Sequence, residues 1–352
     1  MNDAPDDDHR TAVGTMDAVS RRALTRRALP HRPRARRRWA PPAFAVPWAV
    51  AAALRATGAE RGFPLVPALA FTHYAAATSA LPLATALAAR SRGASVLAGA
   101  SAAVLAGAVL RRTTPVTPET PPQGPRLRVV SANMLHGRAD PDALVALASD
   151  RDADVLALME VTPEAVTGLL GAGVADLLPA GHVVPAAAGQ PPGAGGALWT
   201  RWEVRERTVV PGRFGQPAAL LAVPGAPDVE VTAVHTHPPT SSPAQVARWV
   251  ADLRLLPDPE PAVLRVLAGD FNATPDHAAF RRLLGRGWVD AAAATGQALR
   301  ATWWPMRFPH PRLTLDHVLV DPRIAVEGFE VVHVPGTDHR ALVADLRLPA
   351  AG

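Results

Sequence analysis

Two patterns of apolar and polar positions divide this chain near residue 113. Ahead of that point lie three stretches without a charge, Trp39 to Leu54, Gly62 to Ala89 and Gly93 to Leu110. A helix needs about 20 apolar residues to cross a bilayer, so each stretch is a candidate span and the second is long enough outright. The first is short and carries Pro41, Pro42 and Pro47, but proline is tolerated at a helix start and Arg55 can snorkel. A soluble bundle of Ala-rich helices would show charged outer faces, and these stretches show none. The pattern predicts about three transmembrane helices over residues 39–112.

The segment 113–125, TTPVTPETPPQGP, reads as an extended, semi-rigid linker. Beyond it the period shortens to β-branched runs between Gly and Pro turns. These predict strands at Leu127 to Ala132, Val155 to Met159, Ala197 to Thr200, Ala218 to Val223, Val229 to His235, Val263 to Ala268, His317 to Val320, Val331 to His333 and Ala341 to Leu346. Helical spacing fits Pro141 to Ser149, Ser242 to Leu253 and Asp276 to Leu284. Many strands with few, scattered helices predict an α+β domain over residues 126–349, a β-sandwich with helices outside.

Charge separates the same two halves. Residues 1–112 carry 16 Arg against 6 acids, and residues 113–352 carry 20 Arg against 25 acids. The sequence pI near 11.0 therefore belongs to the N-terminal part. A net-acidic domain is a poor start for a duplex-binding nuclease, which needs a cationic footprint, so nucleic acid is the weaker partner. Residues 1–38 read as a basic, disordered cytoplasmic tail. Ser20-Arg21-Arg22 resembles a twin-Arg export signal, but the apolar stretch begins too far downstream. With three spans, twelve arginines fall on the tail side and four on the other, which predicts a multi-pass cell-membrane protein with its C-terminal domain extracytoplasmic. If one stretch fails to insert, the sidedness flips. The chain has no Cys, which excludes disulfides, thiolate nucleophiles and Cys-ligated zinc.

Polar residues accumulate at the predicted strand ends: Ser131-Ala132-Asn133, Leu158-Met159-Glu160, Val234-His235-Thr236-His237, Gly269-Asp270-Phe271-Asn272, Leu315-Asp316-His317 and Thr337-Asp338-His339. Each alone has a plainer reading: Asn133 as a turn residue, Glu160 as a helix-entry residue before Thr162-Pro163, Gly-Asp-Phe-Asn as an ordinary turn. In this order, over about residues 126–349, they resemble the endonuclease/exonuclease/phosphatase superfamily. The resemblance implies a DNase-I-like, four-layer sandwich of two packed β-sheets flanked by helices, and metal-dependent hydrolysis of phosphoesters.

That chemistry needs a hard cation on oxygen ligands, an activated water and groups around the developing charge. The resemblance assigns Glu160 as principal ligand for Mg²⁺, or Mn²⁺ in its place, with Asn133 beside it. It gives Asp270 the orienting or deprotonating of the attacking water, Asn272 and His237 contacts to phosphate, and Asp316 the leaving-group side. His339 would sit against the phosphate as base or clamp, with Asp338 either holding its ring or ligating metal. His317 should face away from the site, and His235, two residues before His237, is within reach of it. Two departures stand out. The chain's one Tyr, Tyr74, lies in the second apolar stretch, so the active-site Tyr of abasic-site endonucleases has no counterpart, and Met159 replaces the family's frequent Gln before the metal Glu.

Apolar spans followed by such a domain further resemble the VanJ-type membrane proteins of actinobacteria, which implies a phosphorylated lipid such as a polyprenyl pyrophosphate as substrate and the lipid bilayer as partner. Two other readings remain: an extracytoplasmic nuclease or phosphodiesterase with a groove of Arg201, Arg205, Arg207 and Arg213, and an inactive binding scaffold. Trp303-Trp304-Pro305 with Phe308 reads either as an aromatic rim for a lipid or as a loop packed over the sandwich edge.

Overall fold

The computed structural model describes residues 35–115, 122–305 and 311–351, and side chains from residue 42 onward. The basic tail through residue 34, residues 116–121 of the linker, and Phe308 lie outside the described residues.

The N-terminal segment differs from three simple spans. Helix α1 (Ala35–Thr57) runs through all three of its prolines. The second stretch is one apolar run in sequence but is divided into α2 (Leu65–Leu69), α3 (Thr72–Thr78) and α4 (Ala80–Ala88). Its breaks fall at Ala70–Phe71 and at Ser79; Thr72 Oγ1 and Ser79 Oγ turn back to the carbonyls of Leu69 and Ala76, hydrogen bonds that compete with the helix ladder. Helix α5 (Arg92–Leu110) follows. Among the described residues one helix, Arg92–Thr113, is long and apolar enough to cross a membrane. α1, α3 and α4 pack against α5.

The C-terminal domain contains, in order, β1 (Arg126–Asn133), α6 (Pro141–Asp150), β2 (Val155–Val161), α7 (Pro163–Gly171), α8 (Val174–Leu177), β3 (Ala180–Val184), β4 (Gly195–Thr200), β5 (Glu203–Val209), β6 (Pro217–Ala222), β7 (Val229–His235), α9 (Pro243–Leu255), β8 (Leu264–Asp270), α10 (Ala278–Leu284), β9 (Val289–Asp290), α11 (Ala291–Ala294), β10 (Asp316–Val320), β11 (Ala325–His333) and β12 (Arg340–Arg347). The strands form two six-stranded sheets, β11-β12-β1-β2-β4-β3 and β5-β6-β7-β8-β10-β9. β1 runs parallel to β2, and β7 parallel to β8; the other pairs are antiparallel.

Side-chain alternation along the strands builds three apolar layers. Leu127, Val129, Val155, Ala157, Val231, Ala233, Val266 and Ala268 meet between the sheets. Val130, Leu156 and Leu158 face outward under α6 and α7. Val234, Leu267 and Leu319 face outward under α9 and α10. This is the four-layer order expected from the motifs. Val66 of α2 belongs to the third layer, so the N-terminal helices are packed onto the sandwich.

Polar contacts reinforce that docking. Asp276, fully buried, takes Arg55 Nε at 2.7 Å and Arg112 Nη2 on one carboxylate oxygen. Glu60 accepts the main-chain N–H of Ala278 at the start of α10, where an acid also meets the positive end of the helix. His277 Nδ1 accepts from Thr274 N at 2.9 Å, which leaves Nε2–H to donate to Val66 O at 3.0 Å.

Candidate active site

The C-terminal ends of the parallel strands β1, β2, β7 and β8 and the N-terminal ends of the antiparallel β10 and β12 meet at one edge of the sandwich. Register places Asp316 across from Asp270, and His235 beside it. Alternation then decides which side chains point between the sheets. Asp270 continues the inner row of Val266 and Ala268, Asp316 that of Val318 and Val320, His235 that of Val231 and Ala233, and Asn133 that of Leu127 and Val129.

Glu160 breaks this rule. It follows inward-facing Met159, so plain alternation would send it outward with Leu158. Instead the ladder to β4 shifts register between Met159 and Val161, and Glu160 adopts a left-handed φ of 57°. Such a bulge re-aims a side chain, and a left-handed glutamate is strained unless its surroundings hold it. They do: Asn133 Nδ2 donates to Oε1 at 3.0 Å and His136 N to Oε2 at 2.9 Å, and His136 Nδ1 lies 3.1 Å away.

The same Asn133 amide reaches Asp270 Oδ2 at 3.1 Å. Asp270 also accepts the main-chain N–H of Asn272 at 2.8 Å, a turn that puts Asn272 at a left-handed φ of 46°. The Asn272 amide donates to Thr236 O at 2.9 Å. On the far side, Asp316 receives Thr302 Oγ1 at 2.6 Å and faces His339 Nδ1 at 2.9 Å. His339 Nε2 lies 3.8 Å from Asp270 and 4.0 Å from Asp338. Asp338 Oδ2 accepts Trp303 Nε1 at 3.1 Å, and its Oδ1 is buried without a partner.

Burial and neighbouring charge set distinct protonation states. Burial, with the Asp316 carboxylate beside it, pushes Asp270 up to about 7. Burial opposes a charge on His339, but Asp316, Asp270 and Asp338 outweigh it and carry the imidazolium up to about 10. For His235, burial, joined by the charge of His339, outweighs the pull of Glu160 and Asp316 and pushes it down to about 4. Glu160 is held below its ordinary value, since the rings of His235 and His136 and the Asn133 amide outweigh its burial.

Ligand atoms of Glu160, His235 and Asp270 lie within 4.8 Å of one another, and so do those of Asp270, Asp316 and His339. Carboxylate oxygens dominate both groups, which suits a hard divalent cation. A protonated His339 has no lone pair to offer, whereas neutral His235 does, and its Nε2 faces Glu160 and Asp270 at 3.7 and 4.0 Å. The Glu160 group is therefore the better fit.

The structure thus brings together Asn133, Glu160, Asp270, Asn272, Asp316, Asp338 and His339. His237 is placed otherwise than expected. Its main-chain N donates to Asp252 at 2.8 Å, its Nδ1 turns to Pro238 O at 3.0 Å, and its ring stacks on Phe214 at 5.9 Å. His235 faces the carboxylates instead, 3.7 Å from Glu160, with Phe214 stacked on it at 4.3 Å. The extended alternation that made the two histidines equivalent ends with β7 at His235. His317 faces outward as expected, bonded to Asp290 at 3.2 Å and Ala273 O at 2.9 Å. Thr302 and His136 carry no motif and were not anticipated. Neither was the wall contributed by the N-terminal helices: Pro67, Ala70 and Phe71 line the same cleft as Glu160, His235, Asp270 and His339.

Among solved structures, the chain is similar to humanized D. rerio TDP2 carrying 14 mutations, at 16% identity and a TM-score of 0.51, covering 63% of this chain and 99% of that one. It is also similar to an endonuclease/exonuclease/phosphatase from Beutenbergia cavernae, at 20% identity and a TM-score of 0.49 over 64% of this chain and 72% of that one. A third likeness is to sphingomyelinase C from Streptomyces griseocarneus, at 19% identity and a TM-score of 0.47 over 63% and 99% of the two chains. No curated protein matches the chain in sequence. The sequence pattern of one family, however, matches residues 130–339, from β1 through His339. By that match and by the two-sheet sandwich that carries its motifs, the chain belongs to the endonuclease/exonuclease/phosphatase family of metal-dependent phosphoester hydrolases.

Proposed function

We propose that this chain is a membrane-anchored, Mg²⁺-dependent phosphoester hydrolase acting on a phosphorylated lipid such as a polyprenyl pyrophosphate. The observation that carries the reading is the composition of the cleft, a cavity of about 530 Å³. One side holds the carboxylates and histidines; the other is apolar, built from Pro67, Ala70 and Phe71 of the N-terminal segment with Leu135, Phe214 and Leu313. A lipid-borne phosphate presents charge and hydrocarbon side by side, and a segment packed on the cleft would hold the enzyme at the surface where such substrates are concentrated. α5 is the one described helix long and apolar enough to serve as an anchor, and with three crossings the arginine count favours an extracytoplasmic catalytic domain.

Glu160, with His235 and Asp270 beside it, would hold the cation, while Asn133, which sequence alone also offered as a ligand, turns its amide N–H to both carboxylates and orients them. When bound there, Mg²⁺ supplies Lewis acidity to the phosphate oxygens. The chain's own groups divide the remaining work. Asp270, fixed between Asn133 and Asn272 with His339 Nε2 3.8 Å away, is placed to orient an attacking water or accept its proton. His339 is held as an imidazolium by Asp316 and presents Nε2–H to the charge that develops on the phosphoryl oxygens. Asn272 fixes Asp270 through its main-chain N–H. Asp338, bonded to the Trp303 indole, steadies the rim beside His339.

The arginines of the nuclease reading are engaged elsewhere. Arg201 pairs with Asp152 and Asp154, Arg205 with Asp228, and Arg207 donates to Gly181 O; neither these nor Arg213 lines the cleft. The test is phosphate release from undecaprenyl pyrophosphate in detergent, with Mg²⁺ and with EDTA, beside cleavage of single- and double-stranded DNA. Metal-dependent release that is lost in a folded Glu160→Gln variant is the expected result. DNA cleavage without lipid turnover would replace the lipid reading with a nuclease, and no hydrolysis of either would leave a binding scaffold.

A further inference from the structure

The short ladder that carries Trp303 and His339 has a second face. Trp303 bridges Leu313 and His339, Trp304 N donates to Asp338 O at 2.7 Å, and Arg340 N donates to Thr302 O at 2.7 Å. Successive residues of an extended chain point to opposite sides. Trp303 and His339 line the catalytic cleft, while Trp304 and Arg340 line a separate cavity of about 630 Å³. His73 and Tyr74 of α3 and Arg112 beyond α5 close its other side. Tyr74 ties the two walls together, since its hydroxyl accepts from Arg312 N at 2.8 Å and donates to Arg312 O at 3.2 Å.

The chemistry of this cavity is one-sided. Arg112, Arg300, Arg312 and Arg340 line it with His73 and His333, and no carboxylate is among the lining residues. Arg112 is neutralised by Asp276, but among the described residues Arg300, Arg312 and Arg340 form no ion pair. The guanidinium carbons of Arg312 and Arg340 lie 4.0 and 4.1 Å from the centroid of one ring, that of Trp304. Arg340 is held below its ordinary value by burial and by the charge of Arg312. Its Nε and the Trp304 indole N–H are buried without hydrogen-bond partners. Unpaired buried donors and crowded like charges are both relieved by an anion, and guanidinium forks match phosphate oxygens in geometry.

We infer that this cavity is a second binding site, apart from the catalytic centre, for a phosphate group. Its size is that of a small-molecule pocket. The phosphate can arrive as a free anion or as the headgroup of an anionic lipid, because the helices that close the cavity belong to the apolar N-terminal segment. The proposal rests on the cavity alone and stands whichever phosphoester the catalytic cleft hydrolyses.

The experiment is calorimetric titration of the full-length protein in neutral detergent with EDTA, using inorganic phosphate, pyrophosphate and dioctanoyl phosphatidic acid as titrants. Arg300→Ala/Arg312→Ala removes two exposed guanidinia of the cavity; Arg205→Ala/Arg207→Ala on exposed β5 is the charge-matched control. Wild type and control are expected to bind alike and the cavity variant at least tenfold more weakly. A loss seen with the inorganic anions identifies free phosphate as the ligand, and a loss confined to phosphatidic acid identifies a lipid headgroup. Equal binding by both variants, or no binding of any titrant by wild type, overturns the site.

Discussion

Replacing Asp276 by Asn leaves the shape of a buried side chain intact and removes the one charge that Arg55 and Arg112 share. Asp276 is fully buried and Arg112 nearly so, at 8% exposure, while Arg55 keeps some contact with solvent. Taking one partner from a buried ion pair costs about 3 to 5 kcal/mol. The partial hydration of Arg55 puts this case near the lower end, about 3 kcal/mol. The cost falls on one interface, because both arginines come from the N-terminal helices and Asp276 from the loop before α10. A loss of that size raises the population of the undocked state by about two orders of magnitude. Hydrogen exchange read by mass spectrometry resolves it: amides of α10 and of residues 109–113 should exchange about a hundredfold faster, while those of β1 and β8 hold. Asp321→Asn, equally buried but paired with Arg323 far from the helices, serves as control. Protection at α10 that changes less than tenfold, or that changes equally in the control, would refute a docking role for Asp276.

Three further outcomes follow from named contacts. Phe71, 39% exposed on the cleft wall, should matter to lipid and not to chemistry: Phe71→Ser is expected to raise KM for a lipid phosphoester severalfold and leave turnover of a small soluble phosphodiester unchanged, as steady-state kinetics on both substrates will show. Gly269 has a φ of 153°, and a Cβ there would lie 2.0 Å from Val234 O between β7 and β8, so Gly269→Ala should destabilise the domain by more than about 4 kcal/mol or prevent folding, read by denaturant titration. His277 sits at about 4 in the folded protein against an ordinary value of 6.5, because burial disfavours its charge. Between pH 6.5 and 4 the unfolded chain therefore takes up a proton that the folded chain refuses. Stability should decline as pH falls through this window, by up to about 3 kcal/mol, and His277→Gln should flatten that part of the pH profile.

Much of the sandwich was legible in the sequence. The runs at β1, β2, β4, β6, β7, β8, β10 and β12 stand where β-branched spacing predicts them, since each is buried on at least one face and its pattern records that burial. β5 was not legible: Glu203–Val209 is almost wholly exposed, an edge strand paired only with β6, and its charged residues obey no core. α7 was missed although Thr162 caps it through a hydrogen bond to Ala165 N and Pro163 opens it.

The site divides in the same way. The residue types at the strand ends were readable because a phosphoester hydrolase needs carboxylates, amides and imidazoles, and those chemical demands are local in sequence. Which of them meet was not. Glu160 enters the site through a bulge, against the alternation of its own strand. His235 rather than His237 faces the carboxylates because the chain leaves the strand between them. Asn133 meets Asp270, 137 residues further on, because the two sheets pack face to face.

By itself, then, the sequence determined the strand pattern, the order of the motifs and the family they belong to, all properties of short segments and their spacing. The tertiary structure alone decided that an apolar run of 28 residues folds as three short helices, that these close one wall of the catalytic cleft, and that four arginines distant in sequence share one cavity. Those outcomes depend on contacts between surfaces, and a surface exists only once the chain has been folded back on itself.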